Sequence, residues 1–227
     1  MPGTFYRRPN NDLYVVGPYG KIYETGEIET WSWSDTEPEQ EMLMVKPHGI
    51  FCAHWWNEIG HLLNIVADLN VKTFCELGIL DGGLTALFLD RARMFFDFNY
   101  LGINLGLQYT DMRVIGLADG VNFQGRFVLA DMDLWQPRAV AAVSSFVRQC
   151  SGRAMVYCDG GDKIKEAHLY WPVLRPGDLL GVHDYSDDPD SVGPEVYFSD
   201  VSDIIRAGKR LGQDDLKETR ILLIEKV

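Results

Sequence analysis

Val71–Leu87 reads VKTFCELGILDGGLTAL. It opens on an apolar run, Val71 to Leu77, and then bends through Gly78, Asp81, Gly82 and Gly83. An amphipathic segment follows, with Leu84, Leu87, Phe88, Ala92, Phe95 and Phe96 at helical spacing. Strand, glycine turn and helix in that order let a ligand approach the backbone beside a helix N-terminus. Glu76 falls at the end of the strand. The glycines are spaced G-x-x-x-G-G behind an acidic residue, which differs from the G-x-G-x-x-G of a dinucleotide fingerprint. Without a ligand, the same residues make a plain strand-to-helix turn.

Downstream the alternation is regular. Strands are expected at 71–77, 99–105, 125–130, 153–158, 178–183 and 220–226, and helices at 83–96, 137–150, 163–174 and 198–210. Strands separated by helices imply parallel βαβ units with right-handed crossovers, an α/β doubly wound sheet. Ligands of such sheets bind outside the carboxyl ends of the strands, where the strand order reverses. That rule selects residues 76–83, 104–111, 131–135, 159–163 and 183–188.

The second strand ends on Asn104, which can bond a ribose hydroxyl but carries no charge. The third ends at Asp131-Met132-Asp133-Leu134-Trp135. Asp131 could accept from an exocyclic amine, with Met132 and Trp135 flanking a flat ring. Equally, Asp131 or Asp133 ahead of Pro137 could cap a helix. The fourth strand ends at Asp159-Gly-Gly-Asp162-Lys163 and the fifth at His183-Asp184-Tyr185. Asp159, His183 and Asp184 can converge on one point, a set that suits Mg²⁺, Mn²⁺ or another divalent ion. His183 could instead be a general base. The alternative is a rim of caps and ion pairs, with Lys163 on Asp159 or Asp162. Two acidic strand ends in one crevice favour a functional site, because they are costly without a cation or a shared proton.

Upstream, residues 47–69 read as a helix with Phe51, Trp55, Ile59, Leu62 and Val66 as its apolar stripe. His54, Glu58 and His61 fall on the neighbouring face at metal-binding spacing, but a single helix supplies them, so a partly exposed polar face is expected, with a substrate-facing His from this helix as the lesser alternative. Residues 1–45 look irregular or β-rich, with a strand candidate at Asp12–Gly17 and turn chemistry at Pro18-Tyr-Gly. Trp31 and Trp33 in the acidic stretch Glu24–Glu41 could lie over a substrate, or the extension could pack on the domain or on another subunit.

The chain of 227 residues is 46% apolar and 24% charged, ordinary for a globular protein. There is no membrane-length apolar run and no secretory h-region at the N-terminus. Cys52, Cys75, Cys150 and Cys158 have no paired metal spacing. Three of them lie in apolar segments, so buried, reduced thiols and a cytoplasmic setting are expected. A net charge of −12 argues against nucleic acid as a partner and fits a small or neutral substrate.

Glu76-Leu-Gly-x-x-x-Gly-Gly resembles the first motif of class I S-adenosylmethionine-dependent methyltransferases, and Tyr100-Leu-Gly-Ile-Asn resembles their second-strand motif. The run from Val156 through Asp162, with Leu174-Arg-Pro-Gly-Asp-Leu-Leu-Gly-Val-His-Asp-Tyr185, resembles the branch holding cephalosporin hydroxylase-like and macrocin-type small-molecule O-methyltransferases. The resemblance covers roughly residues 70–227 and sets 1–69 apart as a lid or oligomer contact. It implies a Rossmann-like, mostly parallel seven-stranded sheet, its last strand inserted antiparallel, with an irregular or helical N-terminal extension.

It further implies S-adenosylmethionine as cofactor. Glu76, Gly78 and Gly82 would shape the methionine end, with Asp81 and Gly83 in the same loop. Asn104 would meet the ribose, Asp131 with Met132 the adenine, and Asp159 would border the cofactor. Asp159, His183 and Asp184 would hold Mg²⁺ or another divalent cation, His183 standing where a carboxylate is usual. The implied reaction is methylation of a hydroxyl on a sugar or natural product, with Asp159 and His183 as catalytic residues. A non-catalytic methyltransferase-like module and a nicotinamide-dependent oxidoreductase are the alternatives. The glycine spacing and Asn104 fit the oxidoreductase poorly.

Overall fold

A computed structural model of the chain describes the backbone of five strands within residues 4–45. Beyond them it describes residues 50, 52–94, 98–111, 114, 126–212 and 220–227. β1 (Thr4–Arg7), β2 (Leu13–Val16) and β3 (Ile22–Glu24) form one antiparallel sheet. β4 (Glu29–Trp31), β5 (Met42–Val45) and β6 (Cys52–Trp55) form another. The helix expected over 47–69 is therefore shorter than its apolar stripe suggests. Cys52–Trp55 pairs with β5, and α1 runs from Trp56 to Asp68. Trp33 lies outside the described residues, as do the side chains of Trp31, Trp55 and Trp56.

The main sheet begins with β7 (Val71–Leu77), followed by α2 (Gly83–Met94), β8 (Asn99–Asn104) and β9 (Phe127–Asp131). Next come α3 (Pro137–Arg148), β10 (Arg153–Cys158), α4 (Lys163–Tyr170) and β11 (Leu179–Val182). A small parallel pair, β12 (Tyr185–Ser186) and β13 (Val196–Tyr197), leads to α5 (Phe198–Ala207). β14 (Gly208–Leu211) and β15 (Leu222–Lys226) close the sheet. The seven strands lie in the order β14-β15-β11-β10-β7-β8-β9. β7 to β11 are mutually parallel, and β15 is antiparallel to both of its neighbours.

Two of the expected helices end early. The third stops at Tyr170 and continues as a 3-10 turn over Trp171–Val173, where Pro172 cannot extend an α-helical ladder. The segment expected to be helical through 210 leaves the helix after Ala207, because Gly208–Leu211 finds a strand partner in β15. Local helical periodicity loses there to sheet pairing.

Side chains of each strand alternate between two cores, as a period of two requires. Cys75, Leu77, Ile103, Val156 and Val182 face α3 and α4. Phe74, Tyr100, Met155 and Tyr157 face α1 and α2. Each such buried Phe, Leu or Ile is worth about 1.5–3 kcal/mol, so this double core holds the strand ends in register. All four cysteines are buried and free. Among the described residues, no helix is long and apolar enough to cross a membrane.

The order of the strands reverses at β7, which has β8 on one side and β10 on the other. The ladder then sets the carboxyl ends side by side. The Gly78 N–H donates to Ile103 O (2.9 Å), the Asp159 N–H to Leu77 O (3.0 Å) and the His183 N–H to Cys158 O (3.1 Å).

Candidate functional site

At this reversal lies a cavity of about 590 Å³, within the range of about 300–1,000 Å³ usual for ligand pockets. Its walls include Glu76, Gly78, Asp81, Gly83, Asn104, Asp159, His183 and Asp184. Nearly the whole set selected from the strand ends is thus gathered on one space. Three of the expected cofactor residues stand back from it. Gly82 packs behind the loop, where an added Cβ would meet Val114 Cγ2 at 2.6 Å. Asp131 accepts the Gly106 N–H through Oδ1 (2.8 Å), and the Met132 N–H donates to Asn104 O (3.0 Å). Asp131 and Met132 therefore brace the loop that carries Asn104.

Gly78 is where two loops touch. Its φ of +90° belongs to the left-handed region, and an added Cβ would stand 2.5 Å from Asp159 O and 2.6 Å from Gly160 Cα. Only glycine satisfies both conditions. The loop beyond Asp159 is held from α4. Glu166 accepts the N–H groups of Gly160 (3.0 Å) and Asp162 (3.3 Å), and Asp162 caps the helix by accepting from the Lys165 N–H (3.0 Å).

Glu76 is buried on the α1/α2 face with Tyr100 and Tyr157. The hydroxyls of Tyr100 and Thr85 both bond its Oε2, and they lie 2.8 Å from each other. Burial pushes the Glu76 carboxyl up to about 8, against the pull of the Tyr100 bond. The folded chain thus keeps this proton up to about pH 8, while an unfolded chain releases it near the ordinary value of 4.5. Between those values the native state binds more protons, so this group makes stability fall as pH rises. In the Glu76→Gln variant that slope is absent. Thermal melts from pH 5 to 9 should show the wild type losing stability relative to the variant across this window; parallel curves would remove the buried proton from the account.

The polar end of the cavity holds a set that a single helix over 47–69 would keep apart. His54 from β6, Asp159 after β10 and His183 after β11 bring ligand-type atoms within 4.8 Å of one another. Asp159 Oδ1 lies 2.7 Å from His183 Nδ1, and Oδ2 lies 3.2 Å from His54 Nε2. The two rings stack with centroids 4.4 Å apart. His183 Nε2 lies 3.3 Å from Glu58 Oε2, and His54 Nδ1 lies 3.7 Å from Cys52 Sγ. His54, Glu58 and His183 are each no more than 4% exposed. His54 and Glu58 therefore belong to the buried site, and the exposed polar face expected of them is not formed.

The two imidazoles are driven apart. Burial pushes His183 down, but Asp159 and Glu58 outweigh it and hold the ring well above its ordinary value. Burial pushes His54 down as well, and there it prevails over Asp159. Burial also works to raise the Asp159 carboxyl, but His183 and His54 hold it below the usual range. At neutral pH the set is one imidazolium, one carboxylate and one neutral imidazole.

Asp184 borders this set, with Oδ2 3.6 Å from His183 Nδ1 and 3.3 Å from Lys163 Nζ. Lys163 also bonds Glu195 at 2.6 Å, so its partners are Asp184 and Glu195, not Asp159 or Asp162. Asp184 has a left-handed backbone, φ +54°, and its carbonyl accepts the N–H groups of Glu195 and Val196. The 186–195 loop is thereby folded back onto the cavity.

Sequence reasoning did not place Cys52, Tyr157 or Glu195 beside the site, and it set a polar face ahead of a site role for His54 and Glu58. The cluster Cys52-x-His54-x-x-x-Glu58 carries a signal in its residue types, but reading it as one helix hides where the side chains go.

No family model matches the chain, and no curated protein is similar to it in sequence. Several solved structures are similar in fold. A proposed O-methyltransferase from Klebsiella pneumoniae is 18% identical, with 78% of this chain and 84% of that one covered, at a TM-score of 0.48. The methyltransferase PaMTH1 of Podospora anserina, solved with S-adenosylhomocysteine, is 9% identical over 74% of this chain and 77% of that one, at 0.49. A proposed caffeoyl-CoA O-methyltransferase from Staphylococcus aureus is 17% identical at a TM-score of 0.40, and the match spans only 56% of each chain. The chain has a Rossmann-like α/β fold, a mostly parallel seven-stranded sheet with β15 inserted antiparallel between β11 and β14.

Proposed function

We propose that the chain is an S-adenosylmethionine-dependent methyltransferase acting on a hydroxyl of a small molecule, a sugar or natural product. One observation carries this reading: a single cavity at the strand-order reversal holds both the glycine loop 78–83 and the Asp159–imidazole set. The cofactor fits the residues present. Gly78 lines the cavity with bare backbone. Asn104 offers a hydroxyl partner, Glu76 a neutral carboxyl for hydrogen bonding, and the carboxyl group of Asp81 suits a ligand with ammonium and sulfonium charges. Glu76, Gly78, Asp81 and Gly83 would border the methionine end and Asn104 the ribose. Asp131 and Met132 would stand behind the adenine side. Leu80 and Leu105, both exposed at the cavity mouth, offer apolar cover for a flat ring.

The cofactor supplies an already activated methyl group, so the chain's task is alignment and removal of one proton. Of the two imidazoles, His54 is the neutral one, and with no metal bound it is the group suited to take that proton. His183, held charged with one N–H toward Asp159 and the other toward Glu58, would orient the Asp159 carboxylate.

Calorimetric titration with S-adenosylhomocysteine tests the reading. Binding in the micromolar range is expected, about −8 kcal/mol. At a hundredfold excess over Kd the ligand should stabilise the fold by about 2.7 kcal/mol. No heat and no thermal shift would leave a methyltransferase-like binding module instead.

A further inference from the structure

Mg²⁺ prefers an all-oxygen shell and keeps much of its water. The cluster brings together the imidazoles of His54 and His183 and the carboxylate of Asp159, while Asp184 at its border is turned to Lys163; that donor set is a poor match for the ion. Imidazole suits Zn²⁺, Fe²⁺ and their neighbours in the first transition row, and two imidazoles with one carboxylate are a recurrent set for them.

A second feature points the same way. In metal sites a ligating imidazole commonly gives its far nitrogen to a carboxylate or another polar group, which fixes the ring. Both rings here are held in that manner. His183 turns Nε2 to the buried Glu58 and Nδ1 to Asp159. His54 turns Nδ1 to Cys52 and Nε2 to Asp159, with the Tyr157 hydroxyl also 3.2 Å from Nε2. Each outer nitrogen has its neighbour, and each inner nitrogen faces the same carboxylate. Glu58 and His54 come from the segment before β7, so the site exists only once that segment docks on the sheet.

We propose that His54, Asp159 and His183 form a site for a first-row transition dication of the Zn²⁺ and Fe²⁺ class, with Glu58 as the residue that positions His183. Three protein ligands leave coordination positions for a further ligand, and the set lies on the cavity. A dication there supplies Lewis acidity, which lowers the pKa of a hydroxyl at the site. The proposal deepens the methyltransferase reading in its chemistry, but metal binding itself can be measured without it.

The test uses the full chain, stripped with a chelator, and Zn²⁺, Mg²⁺ and Co²⁺ as probes. Equilibrium dialysis with elemental analysis should find one Zn²⁺ per chain, retained against a large excess of Mg²⁺. Zn²⁺ but not Mg²⁺ should raise the melting temperature. In His54→Gln and His183→Gln, Zn²⁺ affinity should fall more than about 100-fold, and in Glu58→Gln by about 10–100-fold, as outer-shell partners usually cost.

Should a variant fail to fold, the wild type still decides. The Co²⁺-loaded chain should show two exchangeable, paramagnetically shifted imidazole N–H proton resonances, one per ligating ring. Absence of divalent binding, Mg²⁺ bound as tightly as Zn²⁺, or Zn²⁺ retained undiminished in folded His54→Gln and His183→Gln would each overturn the site. Zn²⁺ binding without S-adenosylhomocysteine binding would keep the metal site and remove the methyltransferase. The reverse result would do the opposite.

Discussion

Asp159→Ala is expected to abolish methyl transfer while leaving S-adenosylhomocysteine binding within a few-fold of wild type. Asp159 lies beside both imidazoles, at 2.7 Å and 3.2 Å. Removing it takes away the carboxylate that orients the pair and keeps His183 charged. Positioned proton transfer is worth about 10²–10⁴-fold in rate, and alignment of the acceptor adds to that. A loss of at least about 10³-fold in S-adenosylhomocysteine release is therefore expected with an acceptor that the wild type turns over. Cofactor affinity should survive, because the glycine loop and Asn104 are untouched. The substitution also leaves the buried His183 with Glu58 alone of its two carboxylate partners, and deleting one partner of a buried ion pair can cost about 3–5 kcal/mol. Asp159→Asn, closer in shape, separates the two effects. If Asp159→Asn folds normally and turns over at the wild-type rate, Asp159 has no part in the chemistry.

Gly78→Ala is expected to damage both the fold and the cofactor site. The new Cβ would press on backbone atoms, Asp159 O at 2.5 Å and Gly160 Cα at 2.6 Å, which cannot swing aside as a flexible side chain can. Overpacking of this kind costs about 1–3 kcal/mol, and holding alanine at a left-handed φ adds about 1–2 kcal/mol. For a chain of this size that is a fall of roughly 4–20 °C in melting temperature. The ends of β7 and β10 would part, moving Asp159 away from the glycine loop. S-Adenosylhomocysteine affinity should drop by at least tenfold. Gly161→Ala is the control, since an added Cβ there meets nothing within 4 Å. Equal melting temperatures for the two variants would show that the Gly78 contact is not the constraint described.

Much of the main sheet is legible in the residues of the chain. The runs at 71–77 and 153–158 form β7 and β10 with the same bounds, because a buried parallel strand is a short apolar run ended by turn residues. From there the rule for strand ends leads to Glu76, Asn104, Asp159, His183 and Asp184, which do line one cavity. The reading fails where two patterns overlap. Phe51, Trp55, Ile59, Leu62 and Val66 satisfy a helical stripe, yet Trp55 pairs with Met44 as a strand residue. Propensity is a weak prior against such tertiary pairing.

The alternation of strands and helices, the glycine turn and the residues at each strand's carboxyl end all follow from the order of residues. Backbone period and turn chemistry produce them, and both are local. Packing between distant segments brings His54 and Glu58 into the site, turns Asp184 to Lys163 and makes Asp131 a brace for a loop. It also sets Glu76 against Tyr100 and Thr85 in a buried pocket that holds its proton. Those outcomes depend on which remote elements meet and on how much water they exclude. Neither is written in the spacing of residues along the chain.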